Sequence, residues 1–128
     1  MKKKFLSLLL VMTLTMSLTL GLTGCGSSKS ADSDKKVLKV AFECAYAPYN
    51  WTQPDDSNGA VQISGSSDYA YGYDVMMAKK IADELGYDLE IVKLDWDSLV
   101  PAVQSGQVDC VIAGQSITKE RQQMVDFT

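Results

Sequence analysis

The alternation of strand and helix patterns between residues 37 and 128 most constrains the fold of this chain. Short apolar, β-branched runs predict strands, and amphipathic or cappable segments predict helices. In chain order the pattern predicts strand 37–43, helix 74–85, strand 89–94, helix 98–105, strand 108–114 and helix 118–124. Strands that alternate with helices form a parallel sheet with helices on its faces, so we predict an α/β fold.

Three local patterns refine this expectation. The first predicted helix carries apolar residues on one face: Val75, Ala78, Ile81, Ala82 and Leu85. Gly86 suits the left-handed position after that helix, and Asp97 is the expected N-cap of the next one. The stretch 50–72 is rich in turn residues, and its runs 50–53 and 60–64 can pair as a small hairpin around residues 58–59.

The first 36 residues are typical of an exported lipoprotein. Three lysines precede an apolar run, and Leu22-Thr23-Gly24-Cys25 resembles the bacterial lipobox, whose cysteine is lipidated. We predict a signal peptide at 1–24, a flexible tether at 25–36 and the folded part at 37–128. The protein would then be anchored to the outer face of the cell membrane by lipid on Cys25. An uncleaved membrane anchor is the alternative.

The charge and the residue types exclude several classes of function. The chain has 12 Lys and Arg against 16 Asp and Glu, and removal of residues 1–24, with three Lys and no acid, leaves 9 − 16 = −7. An acidic chain without a basic stripe argues against a nucleic-acid partner. The absence of His argues against a zinc site and excludes a Ser-His-Asp triad. We therefore predict neither a metal nor another cofactor.

The segment after the third predicted strand has the chemistry of an anion site. Ligands of parallel sheets bind beyond the carboxyl ends of the strands, and Gly114 lies at such an end. Ser116 and Thr118 add hydroxyls beside a helix N-terminus, and the guanidinium of Arg121 matches a carboxylate in a bidentate way. The alternative is that Thr118 only caps the helix and Arg121 is a surface charge.

Residues after the first predicted strand form a second candidate group. Tyr46 could stack on a flat or apolar part of a ligand, and Glu43 could accept a hydrogen bond from a ligand amine. The alternative is packing for Tyr46 and an ordinary strand-end charge for Glu43. Trp96 either lines the ligand site or packs against the end of the second strand. Asp74 fits a structural role at a helix end better than contact with a ligand.

These segments together resemble a known family. The runs "VLKVAFECAYAPYNW", "YGYDVMMAKKIADELGYDLEIV" and "WDSLVPAVQSGQVDCVIAGQSITKERQQMVDFT" are similar to bacterial extracellular solute-binding proteins of family 3, the substrate-binding lipoproteins of amino-acid ABC transporters. The resemblance covers nearly all of 37–128 except the loop at 54–70. It implies a clamshell of two lobes, of which this chain would hold part of the first lobe and lack the second.

The resemblance also implies roles for individual residues. Tyr46 would stack on an amino acid, while the backbone near Gly114, the Ser116 hydroxyl and the Thr118 amide would hold it. Arg121 would pair with its α-carboxylate. Gln115 departs from the apolar residue common in relatives, which affects the details of the pocket.

The function that the resemblance implies is capture of a polar amino acid and its delivery to a membrane permease. This reading makes the protein a binding component and not an enzyme. The alternatives are a related enzyme, either a dehydratase or one that acts on peptidoglycan, and a ligand-sensing receptor domain. Because one lobe leaves a carboxylate–Arg pair half exposed, we predict that residues 37–128 alone bind amino acids weakly or not at all.

The two remaining cysteines are predicted to be free thiols. If the first and third strands are parallel neighbours, Cys44 and Cys110 differ by about five residues of rise, or roughly 16 Å. A disulfide needs Cα atoms within about 7 Å. We expect Cys110 to be buried as a small apolar residue.

Overall fold

The structure is a computed structural model that describes residues 35–128, which form two sheets and three α-helices. The strands are β1 (Val37–Phe42), β2 (Ala45–Tyr46), β3 (Asn50–Gln53), β4 (Val61–Gln62), β5 (Tyr69–Tyr71), β6 (Asp88–Lys93) and β7 (Cys110–Val111). The helices are α1 (Tyr73–Leu85), α2 (Leu99–Gln104) and α3 (Lys119–Gln122). The predicted signal peptide, Cys25 and most of the predicted tether lie outside the described residues.

The larger sheet is parallel, as the alternation of elements predicted. Its strand order is β6-β1-β7, and β1 pairs along its whole length with β6. Val40, Ala41 and Phe42 of the central strand are fully buried because both faces of the sheet are covered. One face packs against α1 and the smaller sheet, and the other packs against α2. The α/β fold is confirmed.

The smaller sheet is antiparallel and has the order β2-β3-β5-β4. The predicted hairpin between 50–53 and 60–64 is wrong, because β3 and β4 flank β5 on opposite sides and do not pair with each other. Ile63, just after β4, forms a parallel bridge to Ile91 of β6, and the Ser64 N–H donates to the Ile91 carbonyl at 2.8 Å. The end of the predicted run 60–64 therefore pairs with the parallel sheet.

The predicted helices are present with changes at their ends. In α1, Val75, Ala78 and Ala82 are buried as expected, whereas Ile81 and Leu85 are 41% and 53% exposed. Gly86 ends α1 with φ 68°, as its position predicted. The inward prediction for Ile81 and Leu85 is wrong because the sheet contacts only a narrow strip of the helix.

The region from 96 to 114 is less regular than its apolar pattern predicted. A 3₁₀ turn at Trp96–Ser98 precedes α2, and Asp97 lies inside that turn, so it does not cap the helix. Of the predicted strand 108–114, only Cys110–Val111 pairs with β1. The chain leaves the ladder after Ile112, whose N–H reaches the Ala41 carbonyl at 3.4 Å. Among residues 35–128, no helix has the length and apolarity needed to cross a membrane.

Candidate functional site

The segments after β1 and β7 meet at the carboxyl edge of the parallel sheet. A Cβ atom built on Gly114 would lie 3.7 Å from Cε1 of Tyr46, so the aromatic ring rests against the start of the loop after β7. The Tyr46 ring is 51% exposed and stacks on Tyr49, with ring centroids 5.0 Å apart. The structure therefore brings two predicted site residues from distant parts of the sequence together.

Arg121 is fixed on the same loop at the start of α3. Its Nη1–H donates to the Ser116 carbonyl at 2.8 Å, and its guanidinium carbon lies 5.6 Å from the centroid of the Trp96 ring. Its backbone N–H donates to Oγ1 of Thr118 at 3.2 Å, so Thr118 is the N-cap of α3. Thr118 therefore caps α3, and Arg121 is held by the Ser116 carbonyl; their roles as ligand-binding residues stay predictions.

The guanidinium retains hydrogen-bonding capacity in this arrangement. A guanidinium has five N–H donors in one plane, and the Ser116 carbonyl takes one of them. Trp96 is a cation–π partner of the guanidinium and accepts no hydrogen bond from it within the described residues. The remaining N–H groups of Arg121 can therefore receive a carboxylate in a bidentate way.

Glu43 lies at the same edge of the parallel sheet. It follows β1, is half-buried, and within the described residues makes no hydrogen bond with the other five candidate residues. The loop from Gly114 to Thr118 is partly exposed, and Tyr46, Ser116 and Thr118 form an open surface rather than a closed pocket. Such a surface can hold one side of a small ligand.

Two cavities adjoin this surface. The smaller one, of about 280 Å³, lies between Trp96, Gln115 and Arg121. The larger one, of about 470 Å³, is mainly apolar and extends from Gln115 to Tyr73 and Phe127. Gln115 lies in the wall of both cavities, so the polar residue at this position changes the chemistry of both.

A buried polar pair that the sequence analysis missed supports the site. Asn50 is fully buried and accepts a hydrogen bond from the Cys44 N–H at 2.9 Å through Oδ1. Its Nδ2–H donates to Oδ2 of Asp74 at 2.8 Å. Asp74 thus has a structural role in α1, as predicted. No sequence pattern points to Asn50, because its two partners lie 6 and 24 residues away.

Cys44 and Cys110 are both free thiols. The register places Cys110 opposite Val40, four residues before Cys44 and therefore about 13 Å away along the sheet. Burial raises the pKa of Cys44 to about 11, against a smaller opposing effect of Lys93. Burial, with the Asp109 carboxylate, also raises the pKa of Cys110. Cys110 packs against the core but is only half-buried, so it is less buried than predicted.

The fold and this edge define a class of protein. A parallel α/β unit whose strand ends carry a fixed guanidinium, hydroxyls, loop amides and an exposed aromatic ring is a lobe of the periplasmic-binding-protein type. Residues 38–128 match the profile of the bacterial extracellular solute-binding proteins, family 3, and the chain belongs to that family.

Relatives and solved structures agree with this assignment. The chain is 36% identical over 107 residues to the arginine-binding extracellular protein ArtP of Bacillus subtilis, an alignment that covers 83% of this chain and 37% of ArtP. It is 37% identical to an ancestral arginine-binding protein bound to arginine, with a TM-score of 0.58 over 73% of this chain and 36% of the other.

A third comparison concerns a single lobe. The arginine-bound form of domain 1 from TmArgBP is 32% identical, with a TM-score of 0.54 over 68% of this chain and 60% of that domain. In that relative, one domain is described with its ligand. The present chain spans 37% of the length of ArtP and 36% of the ancestral protein, so it corresponds to part of each.

Proposed function

We propose that this chain is the carboxylate-binding part of the substrate-binding component of an amino-acid ABC transporter. The observation that carries the proposal is the fixed guanidinium of Arg121, which is held by the Ser116 carbonyl and Trp96 beside the loop after β7. In this proposal Arg121 pairs with the α-carboxylate, and the Gly114 backbone, the Ser116 hydroxyl and the Thr118 amide hold the same group.

The side chain of the ligand is proposed to be cationic, as in arginine. Glu43 and Tyr46 lie at the sheet edge, where a carboxylate and an exposed ring suit a guanidinium that needs both a counter-charge and a flat partner. The acidic net charge of the chain favours the approach of a cation. The relatives named as arginine-binding support the same class of ligand.

Binding without chemical conversion is the accompanying proposal. Asp74, an acid that a catalytic function could use, is 5% exposed and accepts its hydrogen bond from Asn50. It therefore supports the fold and does not face a ligand. A general acid or base must reach the reacting atom. Membership in a family of solute-binding proteins supports the same proposal.

Transport and anchoring complete the proposal. The protein would be exported, held at the outer face of the membrane by lipid on Cys25, and would deliver its ligand to a membrane permease. Metabolic labelling with a palmitate analogue in a bacterial host tests the anchor. We expect incorporation into the wild-type chain and its loss in Cys25→Ala, whereas Cys44→Ala retains the label. Equal labelling of all three proteins would contradict this role of Cys25.

The ligand proposal is tested by NMR titration of the chain with L-arginine. We expect the amide signals of Gly114, Ser116 and Thr118 to shift, with a dissociation constant weaker than about 10 µM because the pair is half exposed. Agmatine, which lacks the α-carboxylate, should bind much more weakly. Binding of agmatine equal to that of arginine would contradict the proposed role of the α-carboxylate. A sub-micromolar constant for arginine would contradict the weak binding expected of a half-exposed ion pair.

Two variants of α3 show whether the guanidinium itself is required. Arg121→Lys keeps the charge but loses the fork, so we expect binding to weaken about tenfold or more. Lys119→Gln removes a charge two residues away on an exposed position and should leave the dissociation constant within about twofold. Equal losses in both variants would show that general charge, and not Arg121, attracts the ligand.

A further inference from the structure

The turn after β1 has an unusual backbone that two side chains hold in place. Cys44 has φ 56°, a left-handed conformation that is uncommon for residues other than glycine. Its N–H donates to Oδ1 of Asn50 at 2.9 Å, and its carbonyl accepts a hydrogen bond from the Thr52 hydroxyl at 3.1 Å. Both backbone polar groups of Cys44 are therefore fixed by side chains of β3.

Asn50 is in turn fixed by α1. Its Nδ2–H donates to Oδ2 of Asp74 at 2.8 Å, and the two side chains are 0% and 5% exposed. The Asp74 N–H also donates to the Tyr49 carbonyl at 2.9 Å. The amide of Asn50 uses an acceptor toward one partner and a donor toward the other, which a carboxylate or a hydrocarbon of similar shape cannot do.

The position of Cys44 connects this network to the candidate site. Cys44 lies between Glu43 and Tyr46, so its backbone conformation decides where both side chains stand relative to the sheet edge. Cε1 of the Tyr46 ring lies 3.7 Å from the Cβ position of Gly114, whereas Asn50 and Asp74 are buried. The network reaches Tyr46 through the turn at Cys44 and through the β2–β3 ladder, in which Tyr46 is opposite Asn50.

We propose that Asn50, oriented by Asp74, is a positioning residue for ligand recognition. It holds Cys44 in the left-handed conformation and thereby keeps the Tyr46 ring against Gly114, without touching the ligand itself. This inference rests on the proposed function for its effect on affinity, but the placement of the ring is independent of any ligand. A purely structural role would lower stability and leave the position of Tyr46 unchanged in the folded molecules.

The first test measures ring placement without ligand. The Tyr46→Ala variant defines how far the ring current of Tyr46 shifts the Gly114 proton signals. In Asn50→Leu we expect most of that ring-current shift to be lost. Asp74→Asn, which keeps an oxygen acceptor for the Asn50 amide, should retain it. Gln53→Leu, which removes an exposed amide from the same strand, is the matched control and should also retain it.

The second test measures affinity for L-arginine in a double-mutant cycle. Asn50→Leu should weaken binding about tenfold in the wild-type background and less than about twofold in Tyr46→Ala, because the ring it positions is then absent. If Asn50→Leu does not fold, Thr52→Val removes the other hydrogen bond to Cys44 and should shift the Gly114 signals in the same direction.

The outcomes separate the two proposals. Unchanged Gly114 signals in a folded Asn50→Leu chain, or an equal loss of affinity in both backgrounds, would overturn the positioning role. Loss of the ring-current shift in a chain that binds no arginine would leave the placement of Tyr46 by Asn50 standing. That result would contradict the expected binding of L-arginine by this chain alone, and it would not bear on the placement of the ring.

Discussion

Gly72 is the position where a single methyl group should disturb the structure most. A Cβ atom there would lie 2.3 Å from the Tyr49 carbonyl oxygen and 3.0 Å from the Asn50 nitrogen. Ordinary contacts begin at 3.4 Å, so the two segments would have to separate by about 3.4 − 2.3 = 1.1 Å. Gly72 also has φ 128° and ψ 179°, a region that is essentially restricted to glycine.

The expected cost of Gly72→Ala follows from these two effects. The backbone conformation costs about 1–3 kcal/mol and the overpacking another 1–3 kcal/mol, so we expect the free energy of unfolding to fall by about 4 kcal/mol. Gly65→Ala is the matched control, because Gly65 has φ 73° but nothing lies within 4 Å of its Cβ position. It should lose only about 1–2 kcal/mol.

Urea unfolding followed by circular dichroism measures both variants. The midpoint should fall much further for Gly72→Ala than for Gly65→Ala, at similar m-values. Gly72→Ala should also shift the NMR signals of Asn50, because the neighbouring Tyr49 must move. Equal midpoints for the two variants would refute the reasoning, because they would show that the approach of Gly72 to the Tyr49 carbonyl is not a rigid contact.

Three further predictions concern Cys44, Cys110 and Gly114. Because folding raises the pKa of Cys44 from 9.0 to about 11, the unfolded chain loses its thiol proton first, so stability due to this group is present below pH 9 and declines toward pH 11. The difference in urea midpoint between wild type and Cys44→Ala should therefore shrink over that range, and a constant difference would contradict it. At about pH 8, iodoacetamide should label Cys110 in the native protein before Cys44, which is 3% exposed; equal rates would show that the turn opens. Gly114→Ala should cost about 1–2 kcal/mol in urea unfolding, from φ alone, since its Cβ would make an ordinary contact with Tyr46.

The local patterns of the sequence predicted the parallel sheet and α1 well. The period of Val75, Ala78 and Ala82 marks the face that packs on the sheet, and β1 is apolar because it is buried on both faces. These features depend on neighbours in the sequence, so they can be read from it. The anion site at the loop after β7, inferred from the order of strand, glycine, hydroxyls and arginine, stays a prediction.

The features that the sequence did not reveal depend on distant partners. The antiparallel sheet is organised by β5, a three-residue strand that pairs on both sides, and nothing in so short a run identifies its two neighbours. The pair of Asn50 and Asp74 joins residues 24 positions apart. Ile81 belongs to the helical period but lines the larger cavity, so period alone overstates its burial.

The candidate site depends on two neighbouring turns at the carboxyl edge of the parallel sheet. Ala41 is opposite Val111, and Cys44 and Gly114 each follow this pair by three residues, after the strands have ended. Both have left-handed backbones, with φ 56° and 64°, and both lead the chain away from the ladder. Gly114 adopts this conformation because it lacks a Cβ, whereas Cys44 relies on the hydrogen bonds from β3. The aromatic side of the surface therefore depends on a buried polar network, and the side that carries Arg121 depends on glycine and a helix cap.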